Sequence, residues 1–221
     1  MTNATPSSSS SSSTASASPA LQKPNLFVRI LRVMMSRVAR VTVTGAEHLD
    51  TPGGKIVVCN HVGWSDPLWV GYAALPRKLH QMAKKELFET RLGAWFVGSG
   101  GGFPVDRGSP STATIRHVVS LVNQGQLVLI FPGGTRNAEN PEAKRGAATI
   151  ALRAKGQIVP AHYDGPGEIR ASHFFTRPRI RITFGPPIVL PPDATANKES
   201  ALALTVAMDE AMKRVAEQGP A

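Results

Sequence analysis

The chain alternates between short apolar runs of strand length and longer stretches with helical periodicity, and this alternation restricts the fold more than any other feature. Strand-like runs include KIVVCN, QLVLIF and RIRITF. Such alternation is typical of helices layered on a mostly parallel sheet. We therefore predict an α/β fold whose mixed, largely parallel sheet is flanked by helices. The predicted strands are 55–60, 79–84, 126–131, 157–163 and 179–184, and the predicted helices are 67–75, 111–124, 144–156 and 199–218.

Residues 1–22 differ from the rest of the chain in composition. MTNATPSSSSSSSTASASPALQ is rich in Ser, Thr and Ala, carries no charged side chain and offers little to bury. Ordering it would not offset the lost chain entropy. A cleaved signal peptide would begin with basic residues and continue with an apolar stretch, and that order is absent from this segment. We expect a disordered N-terminal tail.

Residues 23–41, KPNLFVRILRVMMSRVARV, predict an amphipathic helix with a basic edge. At 100° per residue the apolar side chains fill a broad arc, while Arg29, Arg32 and Arg40 share the remainder and Arg37 alone intrudes on the apolar side. A helix of this kind can lie in a membrane interface with its arginines at anionic headgroups. It can equally pack on the domain core. The sequence leaves both interpretations open.

The charge balance and the single cysteine restrict partners and cofactors. The chain has 25 Lys and Arg against 15 Asp and Glu, a formal net charge of +10, which favours an anionic partner such as a phosphorylated substrate, an acidic lipid surface or nucleic acid. Cys59 alone cannot form an internal disulfide or a multi-cysteine zinc site. No apolar run approaches the roughly 18 residues of a membrane-spanning helix. Residues 42–221 are expected to form one domain.

A histidine and an aspartate stand five positions apart in CNHVGWSDP (59–67), directly after a predicted buried strand. A tight loop there would fold the carboxylate of Asp66 back onto the imidazole of His61. Asp66 would then hold the tautomer in which His61 acts as a general base. Taken alone, the pattern fits equally well with Asp66 capping the next helix and His61 as an ordinary loop histidine.

Two glycine-containing turns are followed by side chains that suit a phosphate group. In GGGFPVDRG (100–108) consecutive glycines allow close backbone approach to a ligand, and Arg107 follows them. In FPGGTRN (131–137) a Pro-Gly-Gly turn is followed by a hydroxyl and a guanidinium at the end of a strand. The candidate binding residues in this second turn are Gly133, Gly134, Thr135 and Arg136.

A further stretch, IVPAHYDG (158–165), ends a predicted strand with Val159-Pro160 and continues with His162 and Asp164. The spacing of this His-Asp pair is specific neither for a metal site nor for a catalytic triad. We therefore interpret the pair as structural.

In order and content these four stretches resemble the sequence blocks of the glycerolipid acyltransferases, the lysophosphatidic acid acyltransferase family: NHxxxxD, GxxFxxR, FPEGTR and a VP-containing strand. The matching residues here are Asn60-His61 to Asp66, Gly102-Phe103 to Arg107 in a looser form, Phe131 to Arg136, and Val159-Pro160. MAKKELF (82–88) and KRGAATIALRAKGQIVP (144–160) are also similar to the family. The resemblance covers about residues 43 to 190.

The resemblance implies a glycerolipid acyltransferase-like fold and the transfer of a fatty acyl group to a lysophospholipid, most simply lysophosphatidic acid giving phosphatidic acid. Acyl-CoA or acyl carrier protein would be the co-substrate, with no covalent enzyme intermediate and no cofactor or metal. By the same resemblance, His61 would deprotonate the acceptor hydroxyl and Asp66 would orient His61. The substrate-binding residues would be Arg107, Gly133, Gly134, Thr135 and Arg136. The expected location is peripheral, at an anionic membrane surface on the cytoplasmic face.

One departure from the family keeps alternatives open: Gly133 stands where the family block FPEGTR has glutamate. The change removes a hydrogen-bond acceptor, so it could alter acceptor choice or lower activity. An acyltransferase for another lysolipid and an impaired homologue that only binds membrane or lysolipid both remain possible.

Nucleic-acid binding has support only from the charge, and no nucleic-acid partner is expected. Neither G-x-S-x-G nor H-E-x-x-H occurs, which argues against a hydrolase. Cys59, in an apolar strand, is expected to be a buried hydrophobe rather than a nucleophile.

Overall fold

One seven-stranded sheet organises the computed structural model, which describes residues 26–105, 111–132, 141–191 and 193–218. The strands are β1 (Arg40–Thr44), β2 (Lys55–Cys59), β3 (Leu79–Lys84), β4 (Gly102–Val105), β5 (Leu127–Ile130), β6 (Gln157–Asp164) and β7 (Arg179–Phe184). Their order across the sheet is β1-β7-β6-β2-β5-β3-β4. Every neighbouring pair is parallel except β6 and β7. The predicted mixed, largely parallel sheet is confirmed.

Helices cover both faces of the sheet, as the alternating pattern predicts. The helices are α1 (Leu26–Val38), α2 (Asp66–Ala74), α3 (Arg91–Ser99), α4 (Thr112–Asn123), α5 (Pro141–Ala154), α6 (His173–Thr176) and α7 (Lys198–Glu217). α1 and α2 pack on one face, against side chains such as Val57 and Leu129. α4, α5 and α7 pack on the other, against Ile56, Val58 and Val128. Because both faces are covered, the central strands are apolar on both sides, which is why their sequences read as continuous apolar runs.

The N-terminal half of the chain differs from the prediction in three places. The helix predicted over 23–41 is α1 at Leu26–Val38, and Arg40 and Val41 belong to β1 instead. The RVTVT sequence of β1 is rich in β-branched residues and pairs with β7, which favours strand over helix. α3 was not predicted, and the GGGF stretch forms the edge strand β4 rather than only a turn. The tail predicted over 1–22 lies outside the described residues.

α1 packs on the core with one side and exposes apolar residues on another. Met35 and Val38 are buried in the core beside α2. Leu26, Ile30, Val33 and Met34 are exposed on the same helix. Within the described residues, every helix is too short or too polar to cross a membrane.

The strand directions bring several connections to one edge of the sheet, called here the carboxyl edge. β2, β3, β4, β5 and β6 run parallel and all end at this edge. β7 runs antiparallel to β6, and β1 parallel to β7, so β1 and β7 begin there. The connections after β2, β5 and β6 therefore lie side by side, at the place where open α/β sheets bind ligands.

Candidate active site

His61 and Asp66 contact each other in the loop between β2 and α2. His61 Nδ1 lies 3.0 Å from Asp66 Oδ2. The backbone N–H groups of Val62 and Gly63 also donate to this carboxylate oxygen, the latter at 2.9 Å. The Asp66 side chain is fully buried, whereas 13% of the His61 side chain is exposed. The loop thus encloses the carboxylate and leaves the imidazole accessible.

Asp66 organises the loop that precedes α2 and does not cap the helix. Ser65 occupies the N-cap position of α2, without a side-chain capping bond, and Asp66 is the first helical residue, followed by Pro67. Within the described residues, the hydrogen bonds to the Asp66 carboxylate come from His61, Val62 and Gly63, which precede the helix. Because Oδ2 already accepts from two backbone N–H groups, Nδ1 of His61 is the donor to it. Nε2 is then the unprotonated nitrogen of the imidazole.

The imidazole of His61 stacks on the ring of Phe131, with ring centroids 4.5 Å apart and an interplanar angle of 29°. Phe131 directly follows β5, and β5 is the neighbour of β2 in the sheet. The topology therefore brings the first residue of the FPGGTR stretch onto the histidine of the NHxxxxD stretch. The predicted binding residues, Arg107, Gly133, Gly134, Thr135 and Arg136, lie outside the described residues.

The side-chain amide of Asn60 continues the ladder between β2 and β6 past the end of β2. Its Nδ2 donates to the carbonyl of Tyr163 at 2.9 Å, and its Oδ1 accepts from the N–H of Tyr163 at 2.7 Å. The residue before His61 is thereby fixed to the strand that carries Val159-Pro160. Asn60 matches the asparagine of the NHxxxxD block, but no role was predicted for it from the sequence.

Replacing Asn60 with alanine is expected to lower the free energy of unfolding by about 1–3 kcal/mol, since it leaves two backbone groups of Tyr163 without partners in a partly buried place. The measurement is urea-induced unfolding followed by circular dichroism. Asn123→Ala is the matched control: Asn123 is exposed at the end of α4, so little change in the free energy of unfolding is expected. An unchanged unfolding midpoint in Asn60→Ala would contradict this role.

The segment after β6 packs on the loop that contains His61 and Asp66. Ser65 Oγ and the Tyr163 hydroxyl both donate to the carbonyl of Pro166, at 3.2 and 2.7 Å, and Ser65 N–H donates to the carbonyl of Gly167 at 3.2 Å. A Cβ on Gly63 would lie 2.1 Å from the Gly167 carbonyl oxygen, so only glycine allows this approach. Burial raises the pKa of the Tyr163 hydroxyl, which keeps it a neutral donor. Among the residues that form these contacts, only Gly63 also forms a hydrogen bond with the Asp66 carboxylate.

Cys59, His162 and Asp164 have structural surroundings. Cys59 is fully buried, and burial raises the pKa of its thiol, which disfavours the nucleophilic thiolate. Asp164 Oδ2 accepts from Arg181 Nε and Nη2, at 3.0 and 2.7 Å. Burial lowers the pKa of His162 and favours its neutral form. These surroundings agree with the interpretation made from the sequence.

A mostly apolar cavity of about 270 Å³ lies along α2. Its wall includes Pro67 and Leu68, which directly follow Asp66, and it continues along α2 to Leu75. The remaining wall comes from α1, the start of β3 and the end of α3. A Cβ on Gly71, which lines the cavity, would meet no atom within 4 Å. The cavity therefore offers an apolar ligand a place along α2, although neither His61 nor Asp66 is part of its wall.

Comparisons with known proteins show the family of this chain. The sequence model of the family described as acyltransferase matches residues 40–164. The chain is 36% identical to a 1-acyl-sn-glycerol-3-phosphate acyltransferase of Bacillus subtilis, over 84% of this chain and 92% of the relative. It is 37% identical to the protein of that name from Streptococcus pneumoniae, over 60% of this chain and 49% of the relative.

Among solved structures, the fold is similar to that of the 1-acyl-sn-glycerophosphate acyltransferase from Thermotoga maritima. The TM-score is 0.63, with 86% of this chain and 78% of the other covered. Because the sequences are only 19% identical, this likeness concerns the fold alone.

Proposed function

The chain belongs to the acyltransferase family, and from this premise we propose that it transfers a fatty acyl group from an acyl-CoA or acyl carrier protein thioester to the free hydroxyl of lysophosphatidic acid, giving phosphatidic acid. The observation that carries the proposal is the contact between the accessible imidazole of His61 and the buried carboxylate of Asp66. The names of the Bacillus and Streptococcus relatives support the choice of acceptor.

In the proposed reaction His61 is the general base and Asp66 positions it. Nε2 of His61 takes the proton of the acceptor hydroxyl as the hydroxyl oxygen bonds to the thioester carbonyl carbon. The carbon–sulfur bond then breaks, and the proton passes from the imidazolium to the leaving thiolate, so that a free thiol and an oxygen ester are the products. Asp66 stabilises the imidazolium that forms in between. The buried thiol of Cys59 takes no part.

We assign the phosphate of the acceptor to the residues after β4 and β5. Arg107 follows β4, and Gly133, Gly134, Thr135 and Arg136 follow β5. Both strands end at the carboxyl edge, where His61 lies, and Phe131 already stacks on His61. A guanidinium suits bidentate binding of a phosphate, and holding the phosphate would position the hydroxyl against the thioester.

We assign the acyl chain of a substrate to the cavity along α2. The assignment is supported by its apolar walls and by its start at Pro67 and Leu68, next to the catalytic loop. Transfer of each methylene from water to such a place contributes about 0.8 kcal/mol. Cavity depth would then set the preferred length of the chain.

Gly71→Leu is expected to shift donor preference toward shorter acyl chains, because the added side chain would occupy open space in the cavity. Displacing two to four methylenes should lower kcat/KM for a long-chain donor by about 15- to 200-fold and leave a short-chain donor little changed. The measurement is kcat/KM across acyl-CoA chain lengths. Gly146→Leu is the matched control, since Gly146 also has open space at its Cβ but is exposed on α5. A uniform fall at all lengths, or no change, would refute the assignment.

The proposed location is peripheral, at an anionic membrane surface on the cytoplasmic face. α1 supports it with exposed apolar residues, Ile30 and Val33 among them, and exposed arginines at Arg29 and Arg32. The apolar side of such a helix can enter the acyl boundary while its arginines meet anionic headgroups. The acceptor, a lysophospholipid, resides in the same surface.

The test is acyl transfer by the purified protein from palmitoyl-CoA to lysophosphatidic acid, with free thiol and phosphatidic acid measured together. We expect both products in equal amounts. Acyl carrier protein as donor and other lysolipids as acceptors extend the test, because Gly133 replaces the glutamate of the related block. No diacyl product from any combination, with lysolipid binding intact, would instead favour a protein that only binds its lipid.

A further inference from the structure

α6 presents two adjacent phenylalanines to solvent. Phe174 is 56% exposed and Phe175 is 91% exposed. α6 is a single short helix in the connection from β6 to β7, which crosses the carboxyl edge of the sheet. Neither ring packs in the core, so core packing does not account for the two successive aromatic side chains of this connection.

α6 lies beside the C-terminal end of α1. The two helices pack together, and Arg177 Nη2, just after α6, donates to the carbonyl of Ser36 in α1 at 3.0 Å. Val33 and Met34, within one turn of Ser36, are exposed apolar residues. The aromatic pair and the exposed apolar side chains of α1 are therefore parts of one region, called here the α6 surface: α6, the last two turns of α1, and the first residues of β1 and β7.

The α6 surface carries a cluster of positive charge. Arg40 and Arg179 are register partners on the neighbouring parallel strands β1 and β7, and both are exposed. Like charges placed directly opposite each other destabilise a sheet. Arg37 and Arg177 are also exposed nearby. Within the part of the chain that the structure describes, none of these four arginines forms an ion pair.

The nearest acidic groups of the same connection have other partners. Glu168 pairs with Arg170, and Asp164 pairs with Arg181. An external anion is thus the partner that would offset the repulsion between Arg40 and Arg179. A partner that is both anionic and apolar would in addition cover the two phenylalanines.

The same connection reaches the catalytic loop. Gly167, between β6 and α6, accepts a hydrogen bond from Ser65 N–H at 3.2 Å and lies directly against Gly63. Whatever binds the α6 surface therefore lies at the edge of the sheet that carries His61.

We propose that the α6 surface docks on a bilayer that contains anionic lipids. Phe174 and Phe175 enter the acyl boundary, while Arg37, Arg40 and Arg179 lie at the phosphate headgroups. Docking in this orientation brings the carboxyl edge, with His61, to the layer in which a lysophospholipid resides. The inference rests on the proposed lipid acceptor and extends the membrane contact of α1 to α6 and to the first residues of β1 and β7. An acidic protein would match the arginines but would leave the adjacent phenylalanines without apolar cover, so a lipid surface fits better.

The test is co-sedimentation of the full chain with vesicles of phosphatidylcholine that contain or lack phosphatidylglycerol. Phe174→Ser/Phe175→Ser is expected to weaken the partition onto anionic vesicles by about tenfold or more. Leu202→Ser/Val206→Ser is the matched control: these residues are 58% and 52% exposed on α7, on the opposite face of the sheet, and should bind as the wild type does. Arg40→Gln/Arg179→Gln should weaken only the binding to anionic vesicles, and added salt should remove that difference.

Equal binding by the phenylalanine variant and the wild type would overturn the inference. An unchanged affinity of the phenylalanine variant for vesicles, together with a lost affinity for acyl carrier protein, would also overturn the inference. That result would assign the α6 surface to an acidic protein. Circular dichroism and the milder Phe175→Ser variant exclude loss of folding as the cause. The readout requires no acyl donor, so docking can fail while acyl transfer to micellar lysophosphatidic acid succeeds. Conversely, normal docking without acyl transfer would count against the proposed function alone.

Discussion

Asp66→Asn is expected to lower kcat for acyl transfer by about 10²- to 10⁴-fold while the protein stays folded. The amide oxygen can still accept from the N–H groups of Val62 and Gly63, so the loop keeps its main support. The amide oxygen takes the place of Oδ2, which also contacts His61 Nδ1, so the geometry of the pair is kept. The negative charge that stabilises the imidazolium of His61 is lost, and this loss lowers the rate.

The measurement is kcat at saturating palmitoyl-CoA and lysophosphatidic acid, with circular dichroism to establish folding. Asp209→Asn is the matched control. It also removes a carboxylate from an ion pair, here the pair with Lys144, but Asp209 lies on α7. A partly exposed pair of this kind contributes little, so kcat should be unchanged. Equal rates for Asp66→Asn and the wild type would show that the buried carboxylate only shapes the loop.

His61→Ala is expected to lower kcat by about two to four orders of magnitude, because the substrate hydroxyl would lose its base. The effect on folding should be small, about 1 kcal/mol, since the imidazole is partly exposed and loses one hydrogen bond and one stacking contact. The same assay of phosphatidic acid and free thiol measures it. KM should change less than kcat, because the base acts in the transition state.

His162→Ala is the control for this prediction. His162 is also only partly exposed, but it lies on β6 beside the Asp164–Arg181 pair and outside the loop of His61. A loss of activity as large as that of His61→Ala would indicate that any histidine removal disturbs the sheet. A His61→Ala variant with nearly the wild-type rate would eliminate the general-base role.

The sequence predicted the strands that form the middle of the sheet and missed those at its two margins. β2 and β5 are buried on both faces, so their apolar runs are visible locally. β1 is largely exposed and joins the sheet only through β7, which follows it by more than a hundred residues. β4, at the other margin, contains glycine and proline, which local propensity assigns to turns. Strands defined mainly by a distant partner cannot be recognised from their own residues.

The contacts of the candidate site also fall into those that local sequence predicts and those that depend on distant residues. The contact of His61 with Asp66 lies within one loop, and the spacing of the two residues predicted it. The bonds of Asn60 and Ser65 join side chains to backbone groups about a hundred residues away, at Tyr163 and Pro166, and no local pattern indicates them. The cavity along α2 depends on how α1 packs over that helix, so its walls became visible only in the fold.

The rate of phosphatidic acid formation by the double variant His61→Ala/Asp66→Asn tests the central claim most directly. If Asp66 acts through His61, removing the base leaves the carboxylate nothing to position, so the double variant should be no slower than His61→Ala within about threefold. If instead the rate of the double variant fell by the product of the two single-variant losses, the two residues would act independently. That result would contradict the account of one catalytic pair.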